Sequence, residues 1–224
     1  NKRGNILAPE KRFASNTYLT ANYQYKGFRA GIQVEGYNQA LQGFPTRYEG
    51  NKLVRRFIRY TNKKIDVHVG NFFEQFGNGL VFRAFEERSL GLDNNIDGLG
   101  IRYSPFQSLK IKAIWGRPRT FMERSPGEVI GGDLEWSPIN REKDGNTQLL
   151  QLGTSYVKRF MRYYGADPKF PQQVEAFAAR FNGQYNAFNF SGEWVHKLSF
   201  SFLKKIKSFD IIYLNSFFYT KKYL

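Results

Sequence analysis

Segments of about ten residues in which apolar and polar side chains alternate, joined by connections that are short and long in turn, constrain this chain more than any other feature. A period of two places successive side chains on opposite faces of a strand. In residues 17–25, Leu19, Ala21, Tyr23 and Tyr25 share one face, and Thr20, Asn22 and Gln24 share the other. Lys26-Gly27 makes a two-residue turn. Residues 28–37 then set Phe28, Ala30, Ile32 and Val34 against Arg29, Gly31, Gln33 and Glu35. This is a β-hairpin whose strands have the length a tilted strand needs to cross a bilayer. The pattern returns in residues 109–116, with Ile111, Ala113 and Trp115 opposite Lys110, Lys112 and Gly116. It returns again near the end, where Phe188, Phe190 and Trp194 oppose Asn189, Ser191 and Glu193.

The connections have an order of their own. A long polar loop over residues 38–51, with Gly43, Pro45 and Gly50, leads to a strand over 52–61. There Arg55 and Arg56 are adjacent, so one of them points outward, at a membrane rim. A short turn at 62–64 precedes a strand in which Ile65, Val67 and Val69 oppose Asp66, His68 and Gly70. Outer-membrane barrels carry short turns at one end and long loops at the other. Short, long, short must therefore be followed by long, and residues 74–97 read as one loop rather than as a loop with a strand at 80–85. The later strands are 98–104, 109–117, 129–137, 147–157, 172–181 and 185–196, with long loops marked by Pro118 and Pro126 and by Pro168 and Pro171. A connection of middling length at 138–146 fits the order least well, and Asn182-Gly183 supplies the last short turn.

Alternation also describes a soluble antiparallel sheet with one wet face. The aromatic set decides between them: 17% of the chain, 22 Phe and 14 Tyr, is aromatic, and Tyr23, Tyr25, Phe28, Tyr103 and Phe106 cluster at strand ends, where membrane barrels place their girdles. No apolar run reaches the roughly 18 residues of a transmembrane helix. The absence of cysteine excludes disulfide frameworks, thiolate metal sites and cysteine nucleophiles. A net charge of +15 raises nucleic acid as a partner, but the charge is spread along alternating strands and both termini, which argues for no nucleic acid. Six lysines and one acid fall in residues 197–224, a tail without Gly, Ala, Pro, Val, Glu, Gln or Arg. That composition suggests out-of-frame or read-through translation and no fixed structure; the alternative is one last hairpin. No Met and no signal peptide stand at the start, so either a leader has been removed or the chain is a fragment.

The fold class expected is all-β, an antiparallel transmembrane β-barrel of the bacterial outer membrane with about ten strands visible. Its parts are an N-terminal arm (1–15), a barrel region (16–197) and the tail (198–224). Residues 70–80, GNFFEQFGNGL, and 85–98, FEERSLGLDNNIDG, resemble a Bacteroidota outer-membrane β-barrel family of unestablished function, over about residues 16–196. More loosely, this one loop is similar to porins and polysaccharide-export barrels. The resemblance implies a barrel and no particular substrate.

The 74–97 loop is expected to fold into the lumen and set what it admits. Arg83, Glu86, Glu87 and Arg88 lie on it, while Arg29, Arg102, Lys110 and Lys112 point inward from the wall. Opposed charges across a constriction select solutes by sign; ordinary solvated charge on a wet wall is the alternative. Asp93, Asn95 and Asp97 before Gly98 copy the first half of a calcium loop, but Ser104 stands where the bidentate Glu belongs, so a plain turn is favoured over a metal site. Asp66 and His68 share a face, yet no nucleophile or oxyanion hole accompanies them, which argues against an enzyme. Gly77-Asn78-Gly79 is too short to cradle a nucleotide, and no cofactor is expected. The function expected is passage of small hydrophilic solutes with weak anion preference, membrane lipid and lipopolysaccharide being the neighbours. A plugged scaffold or secretion-associated barrel that binds protein partners is the rival, and an outer-membrane hydrolase a third.

Overall fold

The computed structural model describes residues 13–38, 48–143, 146–161, 172–200 and 207–218. The described chain is antiparallel sheet. In chain order the strands are β1 (Ser15–Tyr25), β2 (Phe28–Asn38), β3 (Gly50–Thr61), β4 (Ile65–Phe72), β5 (Gln75–Phe76), β6 (Phe82–Arg83), β7 (Glu86–Glu87), β8 (Leu92–Asp93), β9 (Ile96–Phe106), β10 (Leu109–Thr120), β11 (Glu123–Arg124), β12 (Glu128–Lys143), β13 (Asn146–Phe160), β14 (Gln173–Tyr185), β15 (Phe188–Phe200) and β16 (Lys207–Phe218). One twelve-stranded sheet runs β1-β2-β3-β4-β9-β10-β12-β13-β14-β15-β16, with β11 paired to β10 alone; β5-β6 and β7-β8 are separate miniature hairpins. Each strand of the long path thus lies beside its neighbour in sequence once the 73–95 excursion is skipped, a pure meander. Among the described residues β1 and β16 share no ladder, so the sheet is antiparallel without a closing seam.

The first hairpin forms with Tyr25 opposite Phe28 across Lys26-Gly27, and Lys26 takes φ 45° to close the two-residue turn. The parity argument also holds in the geometry: β4 pairs directly with β9, so residues 73–95 are one excursion from the sheet. Gly70, at φ 95° inside β4 and three residues before the excursion, must be glycine; a Cβ there would collide with the Arg56 carbonyl oxygen on the neighbouring strand.

Three sequence expectations are corrected. The middling connection at 138–146 is mostly strand, because β12 runs to Lys143, which pairs with Asn146 at the start of β13; a register shift between Trp136 and Ile139 accommodates Pro138 inside the strand. The last short turn is not Asn182-Gly183, which lies within β14 and pairs with Gln151 and Leu150; the chain reverses instead after Tyr185, with Asn186 at φ 53°. Third, part of the tail is structured: Lys207–Phe218 pairs with β15 from Phe188↔Phe218 to Ser199↔Lys207, the terminal-hairpin alternative. The loop with Pro168 and Pro171, and Gly43 and Pro45, lie outside the described residues.

Polarity is inverted relative to a soluble sheet. Ile32 is 50% exposed, while Gln33 and Glu35 on the opposite face are 2% exposed. Leu19, Ile58, Val69, Trp115, Ile130 and Trp136 are likewise exposed, and Asp133, Ser155, Arg180 and Glu193 are buried. Much of this covered face is covered by the excursion itself. Phe76, wholly buried, packs with Phe72, Ala84, Ile96, Ile114, Val129 and Val157. Gly131 makes room for it, since a Cβ there would stand 2.9 Å from the Phe76 ring. A second cluster joins Tyr37, Tyr48, Val54 and Met122.

Candidate functional site

The excursion holds its shape through two hairpins too short to persist alone. In the first, β5 pairs with β6 across Gly77 and Gly79, and the Ala84 amide closes it on the Glu74 carbonyl at 2.8 Å. In the second, β7 and β8 flank a 3-10 turn, Arg88–Leu90, whose Ser89 amide donates to the capping Glu87 carboxylate and which ends in Gly91 at φ 63°. Asn94 joins the two, accepting from the Phe85 amide at 2.6 Å and donating to the Arg83 carbonyl.

Three groups of contacts fix these hairpins to the covered face. Glu74 lies between two strands' cations: Arg102 donates to it at 2.6 Å and Lys112 at 3.2 Å, and Lys112 also reaches the Gln75 carbonyl. Across the sheet, the Asn78 amide donates to Glu193 at 3.3 Å. The third group is a buried ionic cluster. Arg119 bonds Glu35 at 2.6 and 3.1 Å and Asp93 at 2.6 Å, while Arg55 meets Glu86 at 3.0 Å and Asp93 at 3.5 Å. Arg88 bonds Glu86 from outside at 2.8 Å, and its guanidinium lies over the Tyr18 ring. Burial works against the charge of Glu86, but the hydrogen bonds from Arg88 and Arg55, with their charges, hold its carboxyl below the usual carboxylate range. Exposed Glu87 is also lowered, by its hydrogen bonds from Ser89.

Several residues singled out in the sequence are therefore present in a different pairing. Glu86 meets Arg55 and Arg88, not the wall cations Arg29, Arg102, Lys110 or Lys112. Glu74 is the acid that faces Arg102 and Lys112. Lys110 pairs with Glu135 at 3.0 Å, Arg29 bonds only its neighbour Gln24 among the described residues, and Arg83 lies over the Phe85 ring. Arg55 turns to the covered face and Arg56 outward, as their adjacency demands.

Carboxylate oxygens of Glu35, Glu86 and Asp93 come within 4.8 Å of one another, the spacing of a cation site. Each already bonds an arginine, so guanidinium groups supply the neutralising charge that a metal would. Asp93, Asn95 and Asp97 do not converge as a calcium loop would. Asp93 accepts from both the amide and the side chain of Asn95, Asn95 bonds Asn71 at 2.8 Å, and Asp97 turns away to Arg56 and Arg124. His68 lies 3.0 Å from Asp66 without the alignment of a hydrogen bond, and Asp66 is held by Arg59, Thr61 and Arg102.

The residues that sequence reading missed are Glu35, Arg55, Glu74 and Arg119, with the buried set Asp133, Ser155 and Arg180 linked at 2.7–2.8 Å. Glu35 had a visible signal: it falls in phase with Gln33 on the polar side of the clearest hairpin.

No curated protein matches the chain. Residues 1–221 match a protein family described as a family of unknown function, DUF6029. The match agrees with the resemblance noted in the sequence as far as a family without established function, and it carries nothing of porins or of Bacteroidota. With nearly its whole length matched, this chain belongs to the DUF6029 family.

Proposed function

We propose that the sheet is the wall of a bacterial outer-membrane β-barrel, and that the 73–95 excursion is its constriction, passing small hydrophilic solutes with weak anion preference. The inverted polarity carries this reading. An outward row crosses seven strands as Tyr23, Ala30, Ile58, Val69, Leu99, Trp115 and Ile130, all apolar, each opposite the next in the ladder. Water would oppose such a surface at roughly 25 cal/mol per Å²; lipid would not. The covered face suits an aqueous lumen, with Arg29, Arg59, Arg102, Lys110, Lys112 and Arg180 interspersed with Asp66, Asp133, Glu135 and Glu193 and met by Glu74 of the excursion. Arg29, which meets no acid among the described residues, supports the anion preference. Membrane lipid and lipopolysaccharide are the expected surroundings.

The plugged scaffold is the second reading, favoured by the full burial of Phe76, which seats the excursion on the covered face. Conductance separates the two. The protein should require detergent, fractionate with outer membranes and conduct in planar bilayers. Recovery as a soluble monomer would overturn the membrane wall, and a folded, inserted protein that never conducts would establish the plug. Replacing Glu74 with Gln leaves Lys112 without its acid and Arg102 with Asp66 alone at the constriction. The anion-to-cation permeability ratio should rise, most clearly at low salt where screening is weak; an unchanged ratio would place the excursion outside the conducting path.

A further inference from the structure

Arg56 lines two depressions, one on the outward apolar surface and one at the end of the strands. Below it, on β1–β4, is an apolar trough of about 570 Å³ with small residues Ala21 and Ala30 between Tyr23, Ile32, Ile58 and Val69. Above it, between the start of β3 and the β10–β11 hairpin, is a charged cleft of about 400 Å³ that includes Lys52, Asn71, Asp97 and Arg124. Arg56 lines both. It stands opposite Ile32 in the ladder, on the outward row next above the apolar row of Tyr23 and Ile58. Its neighbours on that row are Asn71, whose side chain accepts from the Arg56 amide, then Asp97 and Arg117.

The charges of the cleft do not balance. Asp97 lies between Arg56 at 3.5 Å and Arg124 at 2.5 Å, and Lys52 pairs with Glu123, which is 77% exposed. Arg119 also borders the cleft but is committed to Glu35 and Asp93. Lys52, Arg56 and Arg124 therefore face two carboxylates, one positive charge in excess. The Arg56 side chain is 51% exposed, and its ion pair with Asp97 is its only one among the described residues. Guanidinium groups favour the bidentate geometry of phosphate oxygens.

We propose that trough and cleft form one binding site for the phosphorylated, acylated glycolipid of the outer leaflet, lipopolysaccharide, with an acyl chain in the trough and a lipid A phosphate at Arg56 and Arg124. This rests on the membrane-wall reading above. A trough alone would accept any acyl chain, and a cationic cleft alone any anion. Their junction at one residue, at the end of the sheet that carries the long loops, selects an amphiphile whose anionic group is joined to its chains.

Native mass spectrometry of the detergent-purified protein with monophosphorylated lipid A tests the site, against the same lipid with its phosphate removed and against inorganic phosphate. The intact protein should retain the phosphorylated lipid, the dephosphorylated lipid about tenfold more weakly, and inorganic phosphate not at all. Arg56→Gln should lower retention of the phosphorylated lipid to the dephosphorylated level, and Ala30→Phe, which fills the trough, should weaken both lipids. Equal retention of the two lipids, an unaffected Arg56→Gln variant, or binding of inorganic phosphate that competes with lipid would each overturn the site. Loss of the site with conductance intact leaves the membrane wall standing; a soluble protein removes both.

Discussion

Phe76→Ala is expected to detach the 73–95 excursion from the wall while leaving the long ladders intact. The ring is wholly buried among Phe72, Ile96, Ile114, Val129 and Val157, side chains contributed by five successive strands of the meander. Truncating such a phenylalanine costs about 3–5 kcal/mol, transfer and cavity together. That is as much as a locally opening segment commonly has to lose. The miniature hairpins β5-β6 and β7-β8 have two residue pairs each and cannot hold the segment unaided. Hydrogen exchange at residues 75–94 should accelerate by two orders of magnitude or more, by about tenfold per 1.4 kcal/mol lost, while amides of β12–β14 stay protected. Conductance should rise with it. Unchanged exchange in the variant would mean that the ionic contacts alone hold the excursion in place.

The other large effect is expected at Arg119. Its side chain is 4% exposed and stands between Glu35, at 2%, and Asp93, at 8%. Arg119→Met removes the cation and leaves both carboxylates in a poorly hydrated site, a loss of about 3–5 kcal/mol. Glu35→Gln in the same chain should restore much of it, because the mutual repulsion of the two acids is then gone. Thermal unfolding in detergent reads the cycle: a double variant clearly more stable than the sum of the single losses is the expected result. Additive losses would show that Arg119 acts through packing around Met122 and Phe121 and not through charge.

Local pairing was legible in the sequence wherever a turn and an alternation agreed. Lys26-Gly27 and the faces of β1 and β2 came directly from period and turn chemistry, and counting connection lengths located the excursion between β4 and β9. Asn182-Gly183 misled for a physical reason. Its amide pairs with Gln151 across the ladder, and Gly183 lies beneath the Phe190 ring, so pairing on both sides outweighs the local preference for a turn. Pro138 misled in the same way, because a bulge can absorb a residue that lacks a donor. Charge partners were less legible still. The face of a strand residue follows from its parity, but which acid meets which base depends on where the excursion lies across the sheet. Glu74 and Glu86 are separated by one miniature hairpin and reach cations on different strands, Arg102 and Lys112 for one, Arg55 for the other.

The meander fixes one property that no single strand shows. Antiparallel neighbours reverse direction at every step, so along the path β1-β2-β3-β4-β9-β10-β12-β13-β14-β15-β16 the first and the last strand point the same way. A ring made by joining these two edges directly would contain one parallel seam among antiparallel ladders, with the slanted, slightly weaker bonds of parallel pairing. A wholly antiparallel ring needs an odd number of strands between them. The direction of β1 and β16 thus makes the edges unlike the two sides of an ordinary hairpin seam, and a cross-link between them reports parallel register or nothing.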